Sequence, residues 1–465
     1  MTHLPNSVHG RDIRYLLHPV TNARAHEKHG PLVIARGEGV RVFDETGKDY
    51  IEGLAGLWSV ALGFSEERLV DAAHRQMQRL PYMHLFASKG HEPSVLLAEK
   101  LIEMTPEGLD RVHFTNSGSE ANDTVVKMIW FYNNAIGRPE KKKFIGRVKG
   151  YHGITVAAGS LTGIPANHKG FDLPLDFVRH VSTPHYWRFG QDGETEDQFS
   201  DRLADELEQT ILAEGSETVA AFIGEPLMGA GGVIVPPTGY WDKVQAVCRK
   251  HGVLIVADEV INGFGRTGKM FACETYDIRP DVLVLSKQLT SSYQPLAAIV
   301  FSDAIYQGIA DGSEAFGTFA HGYTTSGHPV ATAVGLECVS IIEERDLVTH
   351  AAKMGEILRA GLSKYSDHPF VGEVRGTGLI AAIEFVSDKA TKAGFDSVGL
   401  ASSAVVAASQ RHGLILRVAG DAVCFCPPMI ITEHEVQDLL HRFDQAMEEV
   451  FCMYEPFANH HGSVA

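Results

Sequence analysis

The feature that most constrains the fold of this chain is the alternation of short apolar runs with helix-like segments between about residues 91 and 302. The apolar runs are bounded by polar and turn residues, which is typical of strands buried in a sheet. They predict strands at 111–115, 143–148, 219–224, 253–257, 281–285 and 297–302, and the segments between them predict helices at 93–105, about 118–134 and 239–251. This alternation favours an α/β fold with a mostly parallel sheet covered on both faces.

Two functional side chains stand at the ends of predicted strands. Asp258 follows the apolar run 253–257, and Lys287 stands just past the run 281–285. Ligands of parallel sheets bind at the carboxyl ends of the strands, so we expect both residues at one site. An amine and a carboxylate placed there are what pyridoxal phosphate (PLP) chemistry needs. The lysine forms the Schiff base, and the carboxylate keeps the pyridine nitrogen protonated.

The segment Thr115-Asn-Ser-Gly-Ser-Glu-Ala-Asn122 follows a predicted strand and opens a helix. Ser117 and Glu120 have the spacing of a capping box. Gly118 would let a phosphate approach the backbone, and the Ser119 hydroxyl would add a donor to the free N–H groups of the first turn. Taken alone, the segment is more typical of an ordinary capped helix; together with Lys287 and Asp258 it predicts a phosphate cradle.

Tyr151, His152 and Arg417 are weaker candidates when each is taken alone. Tyr151-His152-Gly153 follows a predicted strand, where an aromatic ring could stack on a cofactor or simply belong to the core. Arg417 ends an apolar run, where it could form a structural salt bridge or hold a substrate carboxylate through two hydrogen bonds.

The segment Gly263-Phe-Gly-Arg-Thr-Gly268-Lys269 nearly matches a nucleotide-binding P-loop. The next residue is Met270, which offers no hydroxyl for Mg²⁺. We therefore expect a mobile glycine-rich loop beside the active site, and keep a P-loop-like nucleotide-binding protein as a remote alternative.

Both chain ends predict a smaller unit. Residues 40–51 carry two alternating apolar runs around a glycine-containing turn, which indicates a hairpin. After about residue 326 a long helix leads into mixed strands and helices. The predicted division is 1–75 for an N-terminal part of the small domain, 76–325 for the large domain and 326–465 for the C-terminal part, with a frayed tail at 459–465.

Composition excludes several classes of function. The 465 residues carry 41 basic and 58 acidic side chains, and the formal net charge of −17 argues against binding to nucleic acid or an acidic membrane. The six cysteines lack metal-ligand spacing, so we expect reduced thiols and no metal site, and two buried thiols at Cys424 and Cys426. No secretory signal or membrane span is recognisable, which predicts a cytoplasmic protein.

Seven stretches taken in order closely resemble the class III PLP-dependent aminotransferases, and the resemblance covers nearly the whole chain. They lie at 53–58, 115–122, 150–153, 224–226, 258–268, 286–287 and 322–329. The subgroup they resemble most is the ω-amine:pyruvate transaminases. The resemblance implies a fold-type I enzyme, with a large, mostly parallel seven-stranded sheet domain and a smaller α+β domain built from both chain ends.

The resemblance also implies residue roles. Lys287 and Asp258 would be catalytic, with Lys287 moving the proton. The cofactor would be bound by Gly118, Ser119, Tyr151, His152, Glu225, Asp258, Val260, Lys287 and, from the neighbouring subunit, Thr324. The substrate would meet Trp58, Phe86, Tyr151, Ala230 and Arg417. A homodimer with its active site at the interface follows, and pairing of dimers into a tetramer stays open.

The expected reaction moves an amino group from a primary amine to pyruvate by a ping-pong mechanism, giving an aldehyde or ketone and L-alanine. Ala230 stands where γ-aminobutyrate and ornithine aminotransferases carry a glutamate, which weakens those two assignments. Gln288 follows the lysine where glycine is common in the class. A β-alanine or taurine:pyruvate aminotransferase and a PLP decarboxylase remain alternatives.

Overall fold

The computed structural model describes residues 6–453, so the predicted frayed tail at 459–465 lies outside the described part of the chain. The α-helices are α1 Val8–Tyr15, α2 Ala23–His29, α3 Ala55–Trp58, α4 Glu67–Arg79, α5 Glu92–Met104, α6 Gly118–Ala135, α7 Val156–Leu161, α8 Tyr186–Phe189, α9 Glu196–Glu214, α10 Tyr240–Lys250, α11 Ala272–Thr275, α12 Asp303–Phe316, α13 Pro329–Glu344, α14 Leu347–Ser363, α15 Leu400–Arg411 and α16 Glu433–Met453. Short 3₁₀ turns lie at Pro165–Asn167, Lys287–Thr290 and Lys364–Asp367.

The strands form three sheets. They are β1 Ile34–Glu38, β2 Arg41–Asp44, β3 Asp49–Glu52, β4 Arg111–Thr115, β5 Lys143–Arg147, β6 Val178–Val181, β7 Val219–Gly224, β8 Leu254–Asp258, β9 Val282–Leu285, β10 Ala297–Phe301, β11 Val371–Thr377, β12 Ile380–Phe385, β13 Leu414–Ile415, β14 Arg417–Ala419 and β15 Ala422–Phe425.

The central sheet has seven strands in the order β4-β10-β9-β8-β7-β5-β6. Strand β10 runs antiparallel to both of its neighbours, and the other pairs are parallel, which confirms the predicted mostly parallel seven-stranded sheet. Every residue of β7, β9 and β10 is buried, because helices cover both faces of the sheet. Strand β6 was not predicted from the sequence, because it is a short edge strand whose two central residues are only half-buried.

The smaller sheets join the two ends of the chain. Strands β2 and β3 pair antiparallel around a turn in which the Asp44 carboxylate accepts hydrogen bonds from the Thr46 and Lys48 N–H groups, which confirms the hairpin. Strand β13 pairs parallel with β3, and β11-β12-β15-β14 form a second four-stranded sheet. The N-terminal hairpin thus packs with the C-terminal region, while the domain limits at 75 and 325 stay a prediction.

The glycine-rich segment 263–269 is packed into the interior, so the expectation of a mobile loop is wrong. Residues 263–267 are buried, and the Arg266 guanidinium donates hydrogen bonds to the carbonyls of Leu379 (3.0 Å) and Pro427 (2.7 Å). The next helix is the four-residue α11, which begins at Ala272. A P-loop needs an open cradle that leads directly into a helix, so the nucleotide-binding alternative is also wrong.

The cysteines of the described chain are free, and all except Cys452 are buried. Cys424 and Cys426 share one apolar cluster, as predicted from their two-residue spacing. Within residues 6–453, the structure contains no helix with the length and apolar character needed to cross a membrane.

Candidate active site

A cavity of about 160 Å³ lies at the carboxyl ends of the central strands. Eight of the residues predicted from the sequence line it: Gly118, Ser119, Tyr151, His152, Glu225, Asp258, Val260 and Lys287. Asn122, Gly153, Ile261 and Ser286 also line the cavity and were missed. Residues from five separate regions of the chain therefore converge on one pocket.

Lys287 begins the 3₁₀ turn that follows β9. Its φ of 47° is in the left-handed region, which a side-chain-bearing residue adopts only when its surroundings enforce it. The Ser286 hydroxyl donates a hydrogen bond to the Leu296 carbonyl (2.9 Å) and fixes the turn to β10. Burial lowers the pKa of Lys287 to about 8, although the carboxylates of Asp258 and Glu225 pull it upward. A substantial fraction of the amine is therefore neutral, and nucleophilic, near pH 8.

Asp258 is the last residue of β8, and its carboxylate is buried. The carboxylate lies 2.8 Å from His152 Nδ1 and accepts hydrogen bonds from the Asn122 amide (3.0 Å) and the Val260 N–H (3.1 Å). Burial raises the pKa of Asp258, but His152 and Asn122 outweigh it, so the pKa is lowered. The side chain is thus held as an oriented anion that can pair with a protonated ring nitrogen.

Asn122 is a site residue that was not predicted from the sequence. Its amide donates to the His152 carbonyl (2.7 Å) as well as to Asp258. It stands four positions after Gly118 in α6, and residues four apart lie on the same helical face. Its spacing from the predicted cradle was therefore a usable signal.

The N-terminus of α6 forms one wall of the cavity. The Ser117 hydroxyl accepts from the Glu120 N–H (3.2 Å), as predicted, but the Glu120 carboxylate accepts from the Asn116 N–H (2.8 Å). In a capping box the Glu120 carboxylate would accept from the N–H of Ser117; here it accepts from the N–H of the preceding residue, Asn116. A Cβ atom added at Gly118 would lie 3.3 Å from a Val260 methyl, so glycine keeps this wall open between helix and loop.

Glu225 connects the two sides of the pocket. One carboxylate oxygen accepts from the Tyr151 N–H (3.0 Å) and the other from the Gly229 N–H (2.8 Å). Burial raises the pKa of Glu225, and the neighbouring Asp258 raises it further. The side chain thereby anchors the backbone of Tyr151 and of the segment that carries Ala230.

The residues predicted to meet the substrate fall into two groups. Trp58 is buried in an apolar cluster with Ile261, which itself lines the cavity. Arg417, in β14, is close enough for its charge to lower the pKa of both Lys287 and Tyr151. Trp58, Ala230 and Arg417 therefore lie around the pocket without lining its deepest part.

Within one chain, Phe86 and Thr324 do not reach this cavity. Phe86 is 45% exposed and lines a separate surface groove with Phe319 and Gly322. Thr324 is exposed, and its carbonyl accepts from the Tyr82 hydroxyl (2.7 Å). Thr324 was expected to act from a neighbouring subunit, so its role, like that of Phe86, stays a prediction.

The family model for class-III aminotransferases matches residues 22–447. The chain belongs to the class III aminotransferases. Three similar proteins illustrate the range of the family. The ω-transaminase of Pseudomonas jessenii, solved in complex with PMP, is 60% identical, with 96% of this chain and 98% of that one covered and a TM-score of 0.95. The thermostable ω-transaminase variant PjTA-R6 W58M/F86L/R417L, engineered for asymmetric synthesis of enantiopure bulky amines, is 59% identical over 95% of this chain and 99% of that one, with a TM-score of 0.95. The mitochondrial gamma aminobutyrate transaminase 1 of Solanum lycopersicum is 47% identical over 452 residues, covering 96% of this chain and 88% of the relative.

Class III aminotransferases are PLP enzymes, and the pocket of this member fits that cofactor. The open helix N-terminus at Gly118 and Ser119 suits a phosphate, the anionic Asp258 suits a pyridinium, and Lys287 suits the aldehyde. When bound, PLP withdraws electrons from the substrate carbon. The individual assignments of residues to parts of the cofactor remain predictions.

Proposed function

We propose that this aminotransferase moves an amino group from a primary amine to pyruvate, giving an aldehyde or ketone and L-alanine. The observation that carries the proposal is the position of Arg417 in β14, opposite Cys424 of the apolar cluster that holds Trp58 and Ile261, and near enough to Lys287 and Tyr151 for its charge to lower the pKa of both. A guanidinium there can hold the carboxylate of pyruvate by two hydrogen bonds. The apolar Ile261, which lines the cavity, and Trp58 in the same cluster favour a donor without a charged tail.

The proton transfer is assigned to Lys287. A buried amine with a pKa of about 8 can take up a proton and release it again near neutral pH, which an exposed lysine cannot do efficiently. Asp258 stays anionic throughout, because His152 and Asn122 supply hydrogen bonds to its carboxylate. Burial of the pocket strengthens both interactions by excluding water.

An engineered relative supports the proposed pocket. The substitutions of PjTA-R6 W58M/F86L/R417L adapt that enzyme to bulky amines, and this chain carries Trp58, Phe86 and Arg417 at the same numbers. We infer that these three residues limit the size of the donor here as well. Phe86 would then act from the second subunit of a homodimer, together with Thr324, since neither reaches the cavity of its own chain.

The relative from Solanum lycopersicum favours a second donor class, the ω-amino acids such as γ-aminobutyrate. In the half-reaction with the amino donor, an ω-amino acid presents a carboxylate to the site, whereas a simple amine presents none. Arg417 would then bind donor and acceptor alike, and Ala230 offers no carboxylate to pair with the arginine when the donor is neutral. β-Alanine belongs to this class of donors, and taurine presents a sulfonate in place of the carboxylate.

An absorption titration tests the proposal. The purified protein is mixed first with 1-phenylethylamine, putrescine, β-alanine or γ-aminobutyrate, and then with pyruvate. We expect the yellow colour of the bound cofactor to bleach with a neutral amine and to return with pyruvate, with alanine as the product. Lys287→Ala should show neither change. Bleaching by γ-aminobutyrate alone would replace the amine donor with the second class, and release of CO₂ from an amino-acid substrate without alanine formation would indicate a decarboxylase.

A further inference from the structure

A group of side chains that can bind a metal ion lies near the N-terminus, and none of them lines the active-site cavity. Asp12 in α1, His18 in the following turn and His26 in α2 bring one ligand atom each to within 4.8 Å of one another. His18 Nε2 lies 2.8 Å from Asp12 Oδ1, and His26 Nε2 lies 2.9 Å from the same oxygen. The two imidazole rings have centroids 4.3 Å apart. Two ring nitrogens thus converge on a single carboxylate oxygen.

We propose that Asp12, His18 and His26 bind one divalent transition-metal ion, with Zn²⁺ the best match. Two imidazoles and a carboxylate are a donor set that suits Zn²⁺, with water in the fourth position. Neighbouring ligand atoms of a tetrahedral Zn²⁺, with bonds of about 2.0–2.1 Å, lie about 3.3 Å apart. Each imidazole therefore has to withdraw from Asp12 by only about 0.5 Å to admit the ion.

The protonation states are compatible with this exchange. Without metal, the Asp12 carboxylate accepts an Nε2–H from each ring. With metal, both Nε2 lone pairs face the ion, so each neutral ring carries its proton on Nδ1 instead. No lysine or arginine forms an ion pair with Asp12 within residues 6–453, so no fixed cation already neutralises the carboxylate.

A second acid–histidine group shows the contrast. His185, Glu373 and Glu384 also gather their ligand atoms, between the large sheet and the C-terminal sheet. There the Arg375 guanidinium donates to both carboxylates, at 2.7 Å to Glu373 and 2.5 Å to Glu384. In this group the Arg375 guanidinium already occupies the position between the carboxylates that a metal ion would take, so we infer no metal site there.

The N-terminal site is also accessible and structurally useful. The side chain of His18 is 31% exposed, so an ion and its water can enter from solvent. Neither α1 nor α2 buries a single residue, and Leu17 and Val20 between them are exposed. Within a single chain, hydrophobic burial therefore contributes little to the order of this segment. A metal ion that binds only the folded segment would supply that missing free energy.

Zn²⁺ titration of the full-length PLP-loaded protein tests the site. All proteins carry His460→Ala and His461→Ala, because the adjacent histidines at the chain end would otherwise bind metal. We expect one equivalent of Zn²⁺ in this background and in His29→Ala, the control for an exposed histidine of α2. Asp12→Asn, His18→Ala and His26→Ala should each weaken binding about tenfold or more, or ~1.4 kcal/mol.

Limited trypsin digestion gives an independent measurement. Arg14 and Arg24 are exposed and lie within the segment from Asp12 to His26 that the three ligands span. Zn²⁺ should slow cleavage after both residues in the background protein and leave it unchanged in His26→Ala. The proposal is overturned if the background binds no Zn²⁺, or if the three ligand variants bind it as tightly as His29→Ala. Retained transaminase activity in each variant verifies that the rest of the protein is folded.

Discussion

The lowered pKa of Lys287 predicts how the cofactor-free enzyme takes up PLP. Only the neutral amine attacks an aldehyde, so the rate of colour formation should follow the neutral fraction of Lys287. With a pKa of about 8, about one tenth of the amine is neutral at pH 7, compared with roughly one part in 3,000 for an unperturbed lysine of pKa 10.5. The pocket thus raises the reactive fraction by a factor of roughly 300 at pH 7.

The assay is stopped-flow absorption of the cofactor-free protein mixed with PLP between pH 6 and pH 10. We expect the rate to rise about tenfold per pH unit up to a midpoint near pH 8 and then to level off. The sign follows from burial, which disfavours the ammonium form and so moves the titration to lower pH. Glu225→Gln removes a negative charge that opposes this shift, and should move the midpoint lower still.

Two controls accompany the measurement. Lys287→Ala should form no Schiff-base band at any pH, which excludes surface lysines as the source of the signal. Lys250→Ala, which removes an exposed lysine on α10, should reproduce the wild-type profile. A wild-type midpoint near pH 10 would refute the reasoning, because Lys287 would then titrate as if it were solvated.

Two further predictions concern packing and pH. Gly118→Ala places a methyl group 3.3 Å from Val260, so PLP affinity should fall about tenfold through overpacking, while helix α6 itself is not weakened. Equilibrium dialysis measures the loss of affinity, and the double variant Gly118→Ala with Val260→Ala should recover part of it. An unchanged affinity would contradict the phosphate cradle. Burial raises the pKa of Glu52 to about 7, whereas the pKa in the unfolded chain is about 4.3. Between these pH values the folded state keeps a proton that the unfolded state has lost. The free energy of unfolding therefore falls as pH rises from about 4.3 to about 7. Glu52→Gln keeps the acceptor for the Leu54 N–H, so it should be more stable than wild type at pH 8 but not at pH 4. The midpoints of urea unfolding measure the difference. An equal difference in midpoint at both pH values would show that Glu52 is not the titrating group.

Most strands of the central sheet could be predicted from the sequence because they are buried on both faces. Strand β7 has the predicted bounds, since its unbroken apolar run leaves little choice of structure. The edge strand β4 also has the predicted bounds, although polar residues interrupt its apolar pattern. Strand β6 was missed because an edge strand needs no such run. Asp258 and Lys287 were placed at strand ends for the same reason, as polar residues that stop an apolar run.

What the tertiary structure alone decided is how distant parts of the chain meet. The sequence marked Asp258, but only the packing of α6 against the sheet shows that Asn122, 136 positions away, helps to hold it as an anion. Likewise, the glycine-rich segment 263–269 has the composition of a mobile loop, and only its burial beneath the C-terminal sheet shows that Arg266 makes it rigid. Local pattern determines secondary structure and marks reactive residues. Contacts between residues far apart in sequence depend on strand order and helix packing, and these set the pKa, orientation and access of every group in the site.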